Sequence, residues 1–276
     1  MCIRDRDTIS WERTISKINI TVIDSTENSY TLQAVYDTPN AIRSGSDSIS
    51  RELTSRISRT FGNDTVIVET NELGTIKRLV NFDKLRSRYL KAAEMTAEAL
   101  SAQQGSEAQK DSLFRFLKST LSKQMGDTTV VVSTALEELS FLLYYHGCKM
   151  DFDEEYQIEE NFPSLLGGAP CKGMRTFWID EVDPENGSFR IASDAIVNTD
   201  QAIKQFIELI QSNLPEEDRR KPIDSSQIPI IMAQDQNDTY IHADTGWPLV
   251  VYYTRTTQVG ENRSGIEISL EIDIPE

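Results

Sequence analysis

The chain has 276 residues, of which 38% are hydrophobic and 8% aromatic, so it is long enough to bury a hydrophobic core without disulfide or metal support. It carries 28 Lys and Arg against 44 Asp and Glu, which gives a net charge of −16 at pH 7. Such an acidic chain repels phosphate backbones, and we therefore expect no nucleic acid partner. No apolar run approaches the roughly 20 residues that cross a bilayer, and we expect no transmembrane segment in the printed chain.

The first six residues, Met1 to Arg6, read MCIRDR. They resemble the translation of a sequencing-library transposase adapter more than the start of a gene. We therefore expect residues 1–6 to be an artefact, and Cys2 not to be native. A signal peptide would then lie upstream of the break, so export stays open. The alternative is a genuine start at Met1.

The next part of the chain predicts antiparallel strands on either side of a short helix. Apolar and polar residues alternate over 15–36, as expected for a hairpin with one buried face. Apolar residues at every fourth position then predict a helix over 47–61. A second strand pair follows over 66–80 and turns at Gly74.

The middle of the chain changes to helical periodicity. Apolar residues recur at helical spacing over 83–101 and 107–124, and Gly105 breaks the pattern between these two segments. A third helix is predicted from Thr128 to about Tyr145. Its start is ambiguous, because Val130-Val-Val132 would also suit a strand.

The last third of the chain returns to strand patterns. Asp183-Pro-Glu-Asn-Gly187 is the strongest hairpin signal, because Pro fixes φ and Asn-Gly favours a tight reversal. A helix is predicted over 200–213. The turn Asp244-Thr-Gly246, the apolar run 248–256 and the alternation over 266–272 predict that the chain ends as sheet.

These elements predict an α+β fold in which a curved antiparallel sheet, or two such sheets, is packed by several helices. We expect residues 7–276 to form a single α+β domain. It can be divided into halves, 7–80 and 170–276, around a helical middle at 81–150. Each half has the order hairpin, helix, strand pair, which indicates either an old internal duplication or a common recurrence in α+β proteins.

Short segments of the C-terminal half carry a resemblance. Asn161-Phe-Pro-Ser-Leu-Leu-Gly-Gly-Ala-Pro170, Phe177-Trp-Ile-Asp-Glu-Val-Asp183 and Asp244-Thr-Gly-Trp-Pro248 resemble segments of uncharacterised exported bacterial proteins that are rich in β-structure. The general layout is similar to lipoprotein-carrier-like half-barrels, in which a bent sheet wraps helices. The resemblance implies an exported, periplasmic or cell-surface protein, and it brings no catalytic residue with it.

The remaining cysteines and the histidines do not form a recognisable site. Cys148 and Cys171 can pair in an oxidising compartment or remain buried thiols, and no CxxC spacing supports zinc or redox chemistry. His146 and His242 are the only histidines, and we expect both to be structural. A nucleophile pair of Cys148 and His242 is the alternative, although no local signature surrounds the cysteine.

Motifs for metal, nucleotide or hydrolase chemistry are missing. The acidic segment Asp151–Glu160 lacks the EF-hand pattern, so we interpret it as a solvated loop rather than a calcium site. Gly167-Gly168 lacks the remainder of a P-loop, no GxGxxG occurs, and no serine lies in GxSxG. We therefore expect no metal, no cofactor and no catalytic residue.

Aromatic residues on strands are the best candidates for ligand binding. Adjacent strand residues face opposite sides, so one residue of each aromatic pair is expected to point into the core and the other outward. Trp247 is held between Gly246 and Pro248, and we predict that it is buried or lines the mouth of a concave site. The candidates are Trp247, Tyr252, Tyr253, Trp178 and Phe177.

The sequence favours a non-enzymatic, exported bacterial cell-envelope protein that binds an apolar ligand, a glycan or a protein partner on a curved sheet. The alternative is a hydrolase of the glycosidase type, whose carboxylates converge only in the fold. A third class, a structural interaction module, would have no cavity and would expose an apolar patch.

Overall fold

The computed structural model describes residues 12–37, 40–43, 64–102, 106–162, 171–198 and 230–272, together with isolated positions inside two helical segments. Contacts divide the chain into two compact units, Met1–Ser140 and Phe141–Glu276. Each unit has its own antiparallel sheet. The predicted division into 7–80, 81–150 and 170–276 stays a prediction.

The structure is mixed α+β, as the sequence predicts. Three helices have described bounds: α1 (Phe82–Ser101), α2 (Glu107–Met125) and α3 (Thr128–Leu143). The described strands are β1 (Glu12–Ile15), β2 (Ile18–Thr26), β3 (Ser29–Tyr36), β4 (Asn40–Arg43), β5 (Asp64–Asn71), β6 (Ile76–Leu79), β7 (Glu155–Phe162), β8 (Cys171–Asp183), β9 (Ser188–Val197), β10 (Ile231–His242), β11 (Pro248–Val259) and β12 (Asn262–Glu271).

The two helices predicted over 47–61 and 200–213 fall largely outside the described residues. The positions described inside them, such as Leu53 and Ile203, are helical. Their bounds lie outside the described residues.

The N-terminal unit has a four-stranded antiparallel sheet in the order β2-β3-β5-β6, and β1 pairs separately with β4. The predicted hairpin and strand pair are confirmed. Leu32 lies opposite Val68 and Ala34 opposite Val66, and all four side chains are buried. The period-2 alternation therefore places one face of β3 and β5 in the core.

Polar side chains precede two helices of this unit: Asn81 ties the start of α1 to β5 without capping the helix, whereas Asp127 caps α3. The Asn81 amide precedes α1, accepts the Ile67 N–H at 3.0 Å and donates to the Thr65 carbonyl at 2.7 Å. Asp127 precedes α3, and its Oδ1 accepts the Thr129 N–H at 2.8 Å. This N-cap starts a helix through the valine run that follows, which resolves the ambiguity at 130–132.

The C-terminal unit is a six-stranded antiparallel meander in which β7 to β12 lie in chain order. The hairpin at Asp183–Gly187 is confirmed, and Gly187 has φ of 60°. The Asp183 carboxylate accepts N–H bonds from Glu185 and Asn186, and the side chain of Asn186 lowers its pKa. Asp244–Gly246 forms the next turn, with φ of 69° at Gly246, as a glycine there permits.

The interpretation of Asp151–Glu160 as a solvated loop is wrong for its second half, because Glu155–Phe162 forms strand β7. Glu155 and Glu159 point to solvent, so the strand carries its acidic residues at little desolvation cost. The opposite face presents Tyr156 toward Phe177 and ends at the buried Phe162.

Apolar clusters occupy both ends of the buried face of the six-stranded sheet. One cluster contains Phe162, Cys171, Ala195, Val197, Ile231 and Ala233, and the other contains Tyr145, Ile191 and Ile241. No disulfide joins the exposed Cys148 to the buried Cys171. Of the two alternatives left open by the sequence, the structure has two thiols rather than a disulfide, and only that of Cys171 is buried.

The two sheets share a connectivity that bears on the predicted duplication. β2-β3-β5-β6 and β8-β9-β10-β11 are both antiparallel throughout, and helical residues lie between the second and third strand of each set. Internal duplication nevertheless remains a prediction. In the described part of the chain β7 and β12 are separate edges, so the sheet forms no closed barrel, and the half-barrel resemblance is likewise still a prediction.

We expect Gly173→Ala to destabilise the protein by about 1–3 kcal/mol, since a Cβ there would overpack the core. The added Cβ would lie 2.6 Å from the Ile196 carbonyl oxygen and 2.6 Å from the Phe162 ring. The control is Gly265→Ala, whose nearest backbone neighbour, the Arg255 oxygen, is 3.5 Å away. Urea unfolding measures both variants, and equal losses of stability would contradict the prediction.

Candidate functional site

Strand register gives the six-stranded sheet two different faces. One residue row reads Arg175, Ala195, Asp235 and Arg255 across β8 to β11. These residues are buried or half-buried, so we call this side the inner face. The adjacent row of Met174, Ile196, Gln234 and Thr256 points the other way. We call that side the outer face.

The predicted aromatic pairs divide between these faces, as alternation requires. Phe177 is on the inner face, 5.8 Å from the ring of Tyr145, and Tyr253 is only 6% exposed. Trp178 and Tyr252 are in one row of the outer face, with Ala192 and Asp238 between them. Three strand spacings place their backbone positions about 14 Å apart. They therefore share a surface but are too far apart to hold one sugar ring.

Trp247 is half-buried and follows the left-handed Gly246. Its ring centroid is 5.1 Å from that of His146. Nδ1 of His146 donates to the Gly246 carbonyl at 2.9 Å. This contact between the end of α3 and the β10–β11 turn was missed by the sequence analysis, because the two segments are far apart in the chain. Whether Trp247 contacts a ligand stays a prediction.

The other histidine and the exposed cysteine have structural surroundings. Nδ1 of His242 lies 3.0 Å from the Thr245 hydroxyl, in the same turn. Partial desolvation raises the pKa of the Cys148 thiol, which is opposite to the shift that activates a nucleophile. No group of three metal-ligating side chains occurs in the described ranges.

A polar stripe crosses the inner face between its two apolar clusters. Arg175, 7% exposed at its side chain, donates from Nε to Glu160 at 2.7 Å and from Nη1 to Ser193 at 3.2 Å. Burial alone would lower the pKa of Arg175, but Glu160 raises it overall. The stripe consists of Glu160, Arg175, Ser193, Asp235, Asn237, Thr239, Tyr253 and Arg255.

Asp235 is the most buried charge in this stripe, with 1% of its side chain exposed. Arg255 donates to both of its oxygens, at 2.7 and 2.6 Å, and the Tyr253 hydroxyl donates at 2.8 Å. These donors compensate the carboxylate for its loss of water. Because its oxygens are already engaged, this carboxylate is poorly placed to act as a general base.

Two tyrosines in the turn that follows α3 cover the stripe. The Tyr144 hydroxyl donates to Glu160 at 3.0 Å, and its ring lies 5.2 Å from the Arg175 guanidinium. The Tyr145 hydroxyl is buried and forms no well-aligned hydrogen bond in the described part of the chain, although the nearby Ser193 hydroxyl lowers its pKa against the larger effect of burial. Burial raises the pKa of Tyr145 to about 12 and also raises the pKa values of Tyr144 and Tyr253. All three hydroxyls are therefore protonated near pH 7.

The outer face has a charged half near the β8–β9 hairpin. Arg190 contacts Asp180, which occupies a bulge in β8, and lies 3.9 Å from both Glu181 and Asp238. Its guanidinium is 6.0 Å from the centre of the Tyr240 ring. These side chains form a solvent-facing ion cluster.

The other half of the outer face is apolar and exposed. Met174 is 46%, Ile196 69% and Met232 55% exposed. Ile230, at 67%, extends this patch beyond the start of β10. β8, β9 and β10 are interior strands of the sheet, so the patch lies on a broad surface rather than at an edge. The sequence does contain a signal for this patch. Ile196 and Val197 are adjacent apolar residues, and adjacent residues of a strand point to opposite faces, so only one of them can be buried on the inner face.

The N-terminal unit has a groove of about 470 Å³ between β6, the start of α1 and α3. Lys77, Arg78 and Ser140 line it and are exposed. Arg78 is already bound to Glu69 at 2.6 Å. A small-molecule site typically buries 70–90% of its ligand, and this open groove is poorly shaped to do so.

We expect Tyr145→Phe to leave the free energy of unfolding within about 0.5 kcal/mol of wild type, or to raise it, since the lost hydroxyl forms no well-aligned hydrogen bond. Tyr253→Phe removes a donor to the buried Asp235 and should cost about 1–3 kcal/mol. Urea unfolding at pH 7 measures both. A larger loss in Tyr145→Phe than in Tyr253→Phe would contradict this assignment.

We also expect alkaline destabilisation. The folded pKa of Tyr145 is about 12, above the unfolded value of about 10. The unfolded state therefore releases its proton first, and stability present below pH 10 is lost as the pH rises to 12. The shift corresponds to about 3 kcal/mol for Tyr145. The free energy of unfolding of Tyr145→Phe should therefore fall less steeply with pH over this range than that of wild type. Parallel curves for variant and wild type would refute the assignment.

No helix in the described part of the chain is long and apolar enough to cross a membrane. Comparison with protein families, with curated proteins and with solved structures gives no match to this chain.

Proposed function

We propose that the protein is a non-enzymatic binding protein whose contact surface is the outer face of the C-terminal sheet, and that its partner is another protein. The observation that carries this proposal is the exposed apolar patch of Met174, Ile196 and Met232 on interior strands. Leaving these side chains in water costs free energy that a partner would recover by covering them.

The dimensions of the outer face favour a protein over a small ligand. Five residue rows about 6.7 Å apart and six strands about 4.8 Å apart give a projected area of roughly 650 Å². A stable protein interface buries about 800 Å² on each partner. The face is an open sheet, and its aromatic residues Trp178 and Tyr252 are widely spaced, which speaks against a single glycan or apolar molecule held between them.

The glycosidase alternative has less support. That chemistry needs two carboxyl groups flanking a bound sugar in a cleft. Glu160 is half-buried and bound by Arg175, and Asp235 is buried and bound by Arg255. The carboxylates of the charged half are on an open surface, where Arg190 binds three of them.

A location in the bacterial cell envelope is part of the proposal. It is supported only by the resemblance of the C-terminal segments to exported bacterial proteins. The cysteines add nothing to it, since Cys148 and Cys171 are not joined by a disulfide.

Photo-crosslinking can test the contact surface. A photoreactive phenylalanine analogue at Ile196, in cells that produce the protein, should capture a protein partner. The same analogue at Phe116, which is 65% exposed on α2 of the N-terminal unit, should not capture it.

The captured partner is then purified and titrated against Ile196→Ser and Phe116→Ser. We expect Ile196→Ser to weaken binding at least 5-fold and Phe116→Ser to leave it unchanged, because only the first removes covered apolar area. Equal crosslinking at both positions, or full affinity of Ile196→Ser, would refute the proposed surface.

A further inference from the structure

The outer face carries many more carboxylates than basic groups. Register assigns three basic side chains to this face: Lys172, Arg190 and Arg263. It assigns nine carboxylates to the same face, including the one in the β8 bulge: Glu155, Glu159, Asp180, Glu181, Asp183, Asp194, Asp238, Glu267 and Glu271. The outer face therefore carries six more negative than positive side chains.

Ion pairs within the face neutralise only one part of it. Lys172 binds Glu159 at 2.5 Å, and Arg190 forms ion pairs with Asp180, Glu181 and Asp238 in the charged half. Asp194 accepts a hydrogen bond from Gln236 at 3.2 Å, but neither it nor Glu267 forms an ion pair with any described residue. Both carboxylates are therefore available for ion pairs with a partner.

The unpaired carboxylates lie beside the apolar patch. Asp194 precedes Ile196 by two residues on β9, so the two side chains point the same way about 6.7 Å apart. Glu267 shares the cross-strand row of Asp194, with Gln236 and Thr254 between them. An acidic row therefore runs alongside the row that contains Met174 and Ile196.

We infer that the partner covers this face with a cationic amphipathic segment, a refinement that rests on the proposed function. Its apolar side chains pack on Met174, Ile196 and Met232, and its Lys or Arg side chains meet Asp194 and Glu267. One helical turn advances 5.4 Å, so an apolar residue and a cation one turn apart match the spacing of Ile196 and Asp194. A second copy of this chain is disfavoured, because two acidic faces would repel each other.

The test uses a synthetic 14-residue peptide of Leu and Lys with its leucines on one helical face. A permuted peptide of the same composition without that face, and a Leu/Glu peptide with it, are the comparisons. Binding to the whole protein is measured by fluorescence anisotropy at 50 and 500 mM NaCl. We expect the amphipathic Leu/Lys peptide to bind at least 10-fold more tightly than the other two, and to weaken at high salt.

Matched variants locate the binding. Asp194→Asn with Glu267→Gln should weaken the Leu/Lys peptide about 10-fold. Asp111→Asn with Glu72→Gln removes the same charge from exposed positions of the N-terminal unit and should leave the affinity unchanged. Equal weakening by both pairs of substitutions would show that the peptide responds only to the net charge of the protein, and would overturn the inference. Failure of the Leu/Lys peptide to bind would also overturn it.

The two levels of the proposal fail in different ways. Tight binding of the Leu/Glu peptide that is lost in Ile196→Ser overturns the cationic segment and leaves the contact surface in place. Binding of the Leu/Lys peptide that is unchanged in Ile196→Ser, together with equal photo-crosslinking at Ile196 and Phe116, overturns the surface itself.

Discussion

A carboxylate in the centre of a sheet constrains the whole C-terminal unit. Asp235 lies on an interior strand with 1% of its side chain exposed, and breaking a buried pair of this kind typically costs about 3–5 kcal/mol. Its donors, Arg255 and Tyr253, come from the neighbouring strand β11, so the register of that strand is fixed by charge as well as by apolar packing. A slip by one residue would turn Arg255 to the outer face and leave Asp235 without its donors.

The same constraint explains why the two faces differ so much. The inner face buries a stripe of polar groups between two apolar clusters, and Tyr144 and Tyr145 cover Arg175 and Glu160 at one end of that stripe. Part of the chain's apolar content remains on the outer face, where Ile196 and Met232 are exposed. On the inner face, polar side chains therefore fill buried positions that are usually aliphatic in a sheet. On the outer face, aliphatic side chains are exposed to solvent.

Much of the fold could be predicted from the sequence, because local periodicity and turn chemistry determine it. The hairpin at Asp183–Gly187, the three helices and the left-handed Gly246 all follow from patterns within a few residues. Strand β7 was missed because its charge density dominated a weaker alternation. The polar stripe could not be predicted, since Glu160, Arg175 and Asp235 meet only through strand register, and no local pattern specifies which strands become neighbours. The same is true of the apolar patch, whose members come from three strands.

The connection between β9 and β10 has a kinetic consequence. Every pairing in the six-stranded sheet joins strands that follow one another in the chain, but 33 residues separate Val197 from Ile231, against four between β8 and β9. In the unfolded chain, closing the longer connection costs about 2 kcal/mol more in chain entropy. Hairpins β8–β9 and β10–β12 can therefore form early from local contacts, whereas their association across β9 and β10 is the slow step. That association brings Ala195 beside Asp235, whereas the ion pair of Asp235 and Arg255 lies within β10–β11 and can form before the two parts of the sheet meet.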